Sequence, residues 1–304
     1  MVFSIFSTNK SFDDRWVGSP TLNRWGLHRA RIKAARGARN VRRSMAVSVR
    51  SEHERELLDK GVTVIPNFLP DDAFKAIYEE AKRAADAARE ATPYPSPAAR
   101  GFGQQQHHEW GLDRFDGSTL NRLIDATPLV QEFGRRSELN RMAKIVTGRS
   151  INPKKCCIYE TISSADPDNP DIQAAFHRDT FFDSMKYWFY LEEVTEADGP
   201  LTYVPGSHRL TKERMDWEES RAQKAIEAKL AGKRGNMGGA FRITEAEIAQ
   251  LGLPDPVAHT VQPNTLIVAN VFGFHRRGDA QGGTSRLSLY ANHRPLLPFY
   301  LIGR

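Results

Sequence analysis

Cysteine is almost missing from this chain: its 304 residues hold two, Cys156 and Cys157, and these are neighbours. Adjacent cysteines make a poor structural disulfide, which excludes a disulfide-stapled scaffold and fits a reducing cytoplasm. Long apolar runs are missing too. No stretch approaches the roughly 18 apolar residues that a membrane span needs. The first ten residues contain a short apolar run, but no basic segment precedes it and no clear cleavage site follows, so a secretory signal is not expected. Acidic residues are scarce in one region. Residues 1–50 carry eleven Lys and Arg against two Asp and Glu, in a chain whose net charge is +6. The body, residues 51–304, is therefore slightly acidic, and the basic character belongs to the leader.

Within that leader, residues 24–36 can form a short basic helix. Its apolar points, Trp25, Leu27 and Ile32, do not share one clean stripe. The segment suits a tail or packing arm first, then a peripheral contact between residues 1–50 and an anionic membrane. A nucleic-acid partner is not expected, and an organelle transit peptide fits only by composition. If the leader is independent of the body, its deletion leaves activity intact.

Residues 51–304 read as one domain. Val62 and Val64 before Pro66 suggest a strand. Asp71 and Asp72 then start a helix, placed where the helix dipole favours acids. Phe74, Ile77, Tyr78, Ala81 and Ala85 recur at helical spacing, so that helix has a buried face. Pro93, Pro95 and Pro97 break it. The segment 101–110 reads as a loop lining a substrate mouth, and His107, His108 and Glu109 in it are too closely adjacent to chelate cleanly. Helical segments are expected near 118–134 and 137–147, and a strand carrying Tyr159 from 151 to 162. Asp166, Asp168 and Asp171 lack EF-hand spacing and read as a surface turn. A charged helix near 211–231, a glycine-rich stretch at 232–239 and a capping-box helix from Thr244 together form an insert, near 210–255, long enough to be a lid.

The chemistry concentrates at Phe176-His177-Arg178-Asp179. On a strand, positions two apart share a face, so His177 and Asp179 can offer an imidazole nitrogen and a carboxylate oxygen to one ion. Phe181, Phe182 and residues 187–191 after them read as buried strand. A lone His-x-Asp is weak, and a satisfied core histidine beside a turn aspartate accounts for it equally well. The far end of the chain shifts the balance. Residues 264–270 read as a buried strand with His275 at its end, and Arg286 follows eleven residues later in an alternating strand. Two histidines and one carboxylate, with positions left open, form the facial triad of non-haem Fe(II) oxygenases. A guanidinium among apolar strand neighbours is costly to bury alone and is well shaped to grip a carboxylate. With three ligands supplied, His208 reads as structural.

Together, His177-Arg178-Asp179, His275, Arg286, the turn at 199–209 and the opening stretch 61–69 resemble the phytanoyl-CoA dioxygenase family over most of residues 51–304. The resemblance implies a mainly β fold with flanking helices around a double-stranded β-helix, a cupin-like jelly-roll. It implies an Fe(II)- and 2-oxoglutarate-dependent dioxygenase that hydroxylates an unactivated C–H bond and releases succinate and CO2. In that reading His177, Asp179 and His275 hold the metal, 2-oxoglutarate and O2 occupy the remaining positions, and Arg286 grips the far carboxylate of 2-oxoglutarate. Ser288, two along on the same strand face, and Tyr159, on a neighbouring strand, are further candidates for binding that co-substrate. A halogenase of this kind carries Gly or Ala where Asp179 stands, so the acid implies hydroxylation. One departure is Arg277, where relatives often have a small hydroxyl residue. Either Ser288 takes that role or the two arginines arrange the site differently. The substrate is expected to be a small molecule or lipid-like group: Phe181, Phe182, Trp110 and Met185 either wall an apolar pocket or, more commonly for such residues, belong to the core. A reading from another class is a non-catalytic metal-binding jelly-roll acting as a binding or scaffold module.

Overall fold

The computed structural model describes residues 4–94, 103–164, 166–233 and 240–301. The breaks expected at Pro95 and Pro97, the start of the loop at 101–102, and the glycine-rich stretch from residue 234 to 239 lie outside the described residues.

Three helices open the chain: α1 (Pro20–Arg24), α2 (Leu27–Ala46) and α3 (Glu52–Lys60). Strand β1 (Val62–Ile65) and helix α4 (Asp71–Ala91) follow. A meander of β2 (Gln105–His108), β3 (Gly111–Asp116) and β4 (Thr119–Ile124) leads to helices α5 (Pro128–Gly134) and α6 (Ser137–Thr147). Then come β5 (Cys157–Ser163), β6 (Met185–Tyr190), β7 (Leu201–Tyr203), α7 (Lys212–Leu230) and α8 (Glu245–Gln250). Strands β8 (Val257–His259), β9 (Thr265–Asn270), β10 (His275–Arg277) and β11 (Ser285–His293) complete the order. Eight strands form one sheet in the order β1-β9-β6-β11-β5-β4-β3-β2, and three form a second, β10-β7-β8. The pairings within both sheets are antiparallel. This is the mainly β, helix-flanked jelly-roll the sequence implies.

Period-two alternation decides what each face of the large sheet does. On β6, Met185, Tyr187 and Phe189 point into a core shared with the helices, while Lys186, Trp188 and Tyr190 line a cavity. On β11, Leu287, Leu289 and Ala291 enter the same core, and Arg286, Ser288, Tyr290 and Asn292 face the cavity. The register pairs Tyr290 with Trp188 and Ser288 with Tyr190, so the two strands present their polar faces to the same side. Helix α4 covers the outer face with Ile77, Ala81, Ala85 and Ala88. Burying a side chain such as Phe189 against these contributes roughly 1.5–3 kcal/mol.

The leader is part of this body. Ile32 and Ala35 of α2 pack with Phe181, Phe182, Met215 and Phe272, and Phe12 packs with Trp217, Phe241 and Phe274. The arginines of α2 bond inward. Arg39 donates to the carbonyls of Val146 (2.7 Å) and Ile145 (3.0 Å), and Arg42 to that of Thr147 (3.2 Å). These are among the last carbonyls of α6, which have no partner inside their own helix and lie at its negative end. Arg36 pairs with buried Asp183 at 2.9 Å. Trp25, expected as an apolar point, is 78% exposed.

Four local expectations change. Within the loop expected at 101–110, Gln105–His108 form β2, paired with β3. Residues 119–124 form β4 rather than helix. The strand is paired on both edges, by β3 and β5, and buried along nearly its whole length, so it lacks the alternation that marks a half-buried strand. The strand expected from 151 starts at Cys157, after a short 3-10 turn at Pro153–Lys155. The His177-Arg178-Asp179 run is an extended segment held by isolated bridges from His177 to Arg242 and to His275, and the next strand begins only at Met185. Cys156 and Cys157 are both free thiols.

Candidate metal centre

His177 and His275, far apart in sequence, form a reciprocal backbone pair. The amide of each donates to the carbonyl of the other at 3.0 Å, which sets both side chains on one side of the bridge. The amide of Asp179 donates to Val271 at 3.0 Å, and that of Arg178, between them, donates to Phe241. Successive residues therefore point opposite ways. His177 and Asp179 face the cavity, and Arg178 turns outward to grip Glu218 of α7 through Nε (2.8 Å) and Nη2 (2.7 Å).

The imidazoles are oriented alike. Nδ1 of His177 lies 2.8 Å from the carbonyl of Ala175, and Nδ1 of His275 lies 3.0 Å from that of Gly273. With Nδ1–H donating to a carbonyl, each Nε2 is left with its lone pair free for a ligand. Asp179 Oδ1 lies 3.5 Å from His177 Nε2 and 3.8 Å from His275 Nε2, and the ring centroids are 4.5 Å apart. The three donor atoms fall within 4.8 Å of one another, and all three residues are buried. Burial, reinforced by the neighbouring His177, pushes His275 down to about 3, so its ring is neutral. Its Nε2 is buried and, among the described residues, has no hydrogen-bond partner. An unpartnered neutral nitrogen in a dry site is costly unless something binds it. Burial alone would raise Asp179, but the Lys186 ammonium and both histidines outweigh it and hold the acid well below the usual carboxylate range. A neutral His275 ring, a second imidazole and an ionised carboxylate converging on one point fit a divalent metal such as iron.

The cavity around this cluster has a volume of about 590 Å³. Arg286, Ser288 and Tyr159 all line it. Arg286 is fully buried, and burial lowers it from its ordinary range; among the described residues it forms no ion pair and donates to the carbonyl of Gly199. Ser288 donates to the carbonyl of Tyr159 at 3.3 Å, and the Tyr159 hydroxyl donates to Asn121 at 2.5 Å. Arg277 lines the same cavity but is already paired: it binds Asp171, and Asn121 at 2.8 Å, and approaches Asp116 at 3.8 Å. Of the two arginines, Arg286 is the one without a carboxylate.

Of the two readings open for Phe181, Phe182, Trp110 and Met185, the structure takes the commoner one, packing against the core. Phe181 and Phe182 pack beneath α2, Met185 faces the helices, and Trp110 stacks on His108 at 4.5 Å; none of them lines this cavity. His208 lies outside it as well, with Nε2 3.0 Å from the carbonyl of Leu58. Of the lid segment, α7 is packed against the leader and the small-sheet core, and Ala240 and Arg242 are the described residues near it that reach the cavity. Three residues were missed from sequence: Lys10, Lys186 and Arg294 line the cavity at its Asp179 end. Lys186 was legible in principle, being in phase with Trp188 and Tyr190, and Arg294 continues the alternation of β11. Lys10 carries no local signal.

A family model described as phytanoyl-CoA dioxygenase (PhyH) matches residues 57–238, more than half of the chain. That span includes His177 and Asp179 and ends before His275. No curated protein matches. Among solved structures, the chain is similar to the non-haem α-ketoglutarate-dependent epimerase SnoN from nogalamycin biosynthesis, at 16% identity over 80% of this chain and 85% of that one, with a TM-score of 0.47. It is also similar to HygX from Streptomyces hygroscopicus with nickel and 2-oxoglutarate bound, at 14% identity over 82% and 88%, with a TM-score of 0.44. A third likeness is to AviO1 from Streptomyces viridochromogenes Tue57, at 17% identity over 83% and 98%, with a TM-score of 0.45.

Proposed function

Because the chain belongs to the phytanoyl-CoA dioxygenase family, we propose that it is an Fe(II)- and 2-oxoglutarate-dependent dioxygenase that hydroxylates a C–H bond of a small molecule. The observation that carries this is the convergence of His177 Nε2, His275 Nε2 and Asp179 Oδ1 inside a cavity that also holds the unpaired guanidinium of Arg286. These three side chains would hold Fe(II) on one face. The iron, when bound, supplies the O2 chemistry by which 2-oxoglutarate, O2 and R–H become succinate, CO2 and R–OH.

The protein's own part is orientation and exclusion of water. The carbonyls of Ala175 and Gly273 fix the histidine tautomers. Arg286 would grip the far carboxylate of 2-oxoglutarate, a pairing that gives a buried cation the partner it lacks. Ser288 and Tyr159 flank that position, with Ser288 retaining acceptor capacity for a hydrogen bond from a bound group. The aromatic pair Tyr159 and Tyr290, stacked at 4.7 Å, lines the space between.

The test is a turnover assay with Fe(II), 2-oxoglutarate and O2, following succinate and searching candidate substrates for a product that gains one oxygen. Succinate release that depends on all three, and on His177 and His275, supports the reading. Release untouched by His177→Ala overturns the ligand assignment, and no release with any substrate favours a binding module.

A further inference from the structure

Three cations surround one carboxylate at the metal end of the cavity. Lys186 Nζ lies 2.7 Å and Arg294 Nη2 3.2 Å from Asp179 Oδ2, and Lys10 Nζ donates to the backbone carbonyl of the same residue. Among the described residues, none of the three has an ion pair with any other acid. Lys10 and Lys186 are mostly buried, so water does little to screen them. Asp179 neutralises one charge of the three, and a divalent metal bound to Asp179 would add to the excess. Arg294 is partly exposed, but with two of the three cations mostly out of water an excess of this kind is unfavourable unless an anion completes it.

2-Oxoglutarate, bound at the metal and extending toward Arg286, would run away from these cations, which touch Asp179 Oδ2 while both histidine nitrogens face Oδ1. Arg286 stands at the opposite end of β11, paired with Thr161, whereas Lys186 pairs with Asn292. Six residues of strand separate the two backbone positions, so the two side chains enter the cavity from different sides. Between them runs an aromatic wall of Trp188 and Tyr290, 5.8 Å apart, continued by Tyr159. The cavity is thus polar and cationic at each end and aromatic in the middle, and its size lies within the range of small-ligand sites.

We infer that Lys10, Lys186 and Arg294 form a subsite for an acidic group, a carboxylate or phosphate, on the substrate itself, whose body lies along Trp188 and Tyr290. This rests on the proposed oxygenase reading and narrows it: the substrate is an anionic small molecule rather than a neutral lipid chain. Lys10 comes from the N-terminal arm, outside the residues 57–238 that match the family, so the arm contributes to substrate selection.

The experiment uses the full chain, anaerobic, with Fe(II) and saturating 2-oxoglutarate, followed by the visible charge-transfer absorption of the bound co-substrate. Benzoate and inorganic phosphate are titrated in separately as the two probe anions. The expected result is a saturable perturbation by at least one probe without loss of the band. Arg294→Ala and Lys10→Met weaken that probe about tenfold or more, as loss of a charge-assisted contact should, and Lys10→Arg restores most of it. The 2-oxoglutarate midpoint of each variant, measured alone, reports whether the fold and metal site are intact. Displacement of 2-oxoglutarate by the probes, equal binding in wild type and both variants, or no binding by either probe overturns the subsite. Absence of the band in wild type before any probe is added overturns the oxygenase reading instead, so the two failures are distinct.

Discussion

At the scale of the residue, the site depends on which atoms are left without partners. His275 Nε2 and the Arg286 guanidinium are both buried, and neither has the partner its chemistry calls for. His275→Ala should abolish iron retention while leaving the circular dichroism spectrum unchanged, since the ring's one hydrogen bond is to a local carbonyl. Arg286→Ala should raise the 2-oxoglutarate requirement by about ten- to a hundredfold, the usual cost of a lost charge-assisted contact, in a steady-state titration. An unchanged requirement would move the anchor elsewhere. Much of this was readable from sequence, because the His-x-Asp spacing, the distal histidine and the arginine eleven residues later are local or ordered features. The partners of Arg277 were not. Asp171, Asn121 and Asp116 come from a loop and two strands, and only the fold brings them together.

Glu218 illustrates the same limit. It is buried between Arg178 and Arg214 and accepts a hydrogen bond from His28. Burial lowers His28 and outweighs the pull of the acid, so His28 donates as a neutral ring. Burial on its own would raise Glu218, but Arg178 chiefly, with His28 and Arg214, holds it well below its ordinary 4.5. A depressed acid stabilises the fold fully above its unfolded value and loses that contribution as pH falls through the folded one. Glu218→Gln should therefore cost about 3–5 kcal/mol at neutral pH, as removal of one member of a buried ion network does. The gap between wild type and variant should narrow as pH drops below 4.5, as measured by denaturant melts. A gap independent of pH would contradict the assignment.

At the scale of the element, the leader helix α2 is the informative case. Its composition suited a tail or packing arm first and a contact with an anionic surface second, and it packs as an arm. The structure turns Arg39 and Arg42 onto the carbonyl end of α6 and Arg36 onto Asp183. Sequence shows the charge but not the helix terminus that receives it. Arg39→Ala, which strips two buried carbonyls of their donor, should destabilise the protein by about 1–3 kcal/mol in a thermal or urea melt. Deletion of residues 1–50, read from sequence as neutral, should instead lower solubility and the melting temperature, because Phe12 and Ile32 are core. Strand β4 was misread for a related reason: a strand covered on both faces has no period to read, and only its two neighbours define it.

At the scale of the whole molecule, the jelly-roll was legible through the family resemblance that His177-Arg178-Asp179, His275, Arg286, the turn at 199–209 and the stretch 61–69 carry in that order. What the sequence did not show was the character of the cavity. The phenylalanines beside the metal ligands went to the core beneath α2, and the cavity acquired charged residues from the N-terminal arm, β6 and the segment after β11. The account rests on a single iron held by His177, Asp179 and His275. The most direct measurement is metal analysis after anaerobic loading with Fe(II) and desalting, on wild type and on His177→Ala, Asp179→Ala and His275→Ala. The account predicts one iron per wild-type chain and almost none in each folded variant. Iron retained equally by all four proteins would contradict it.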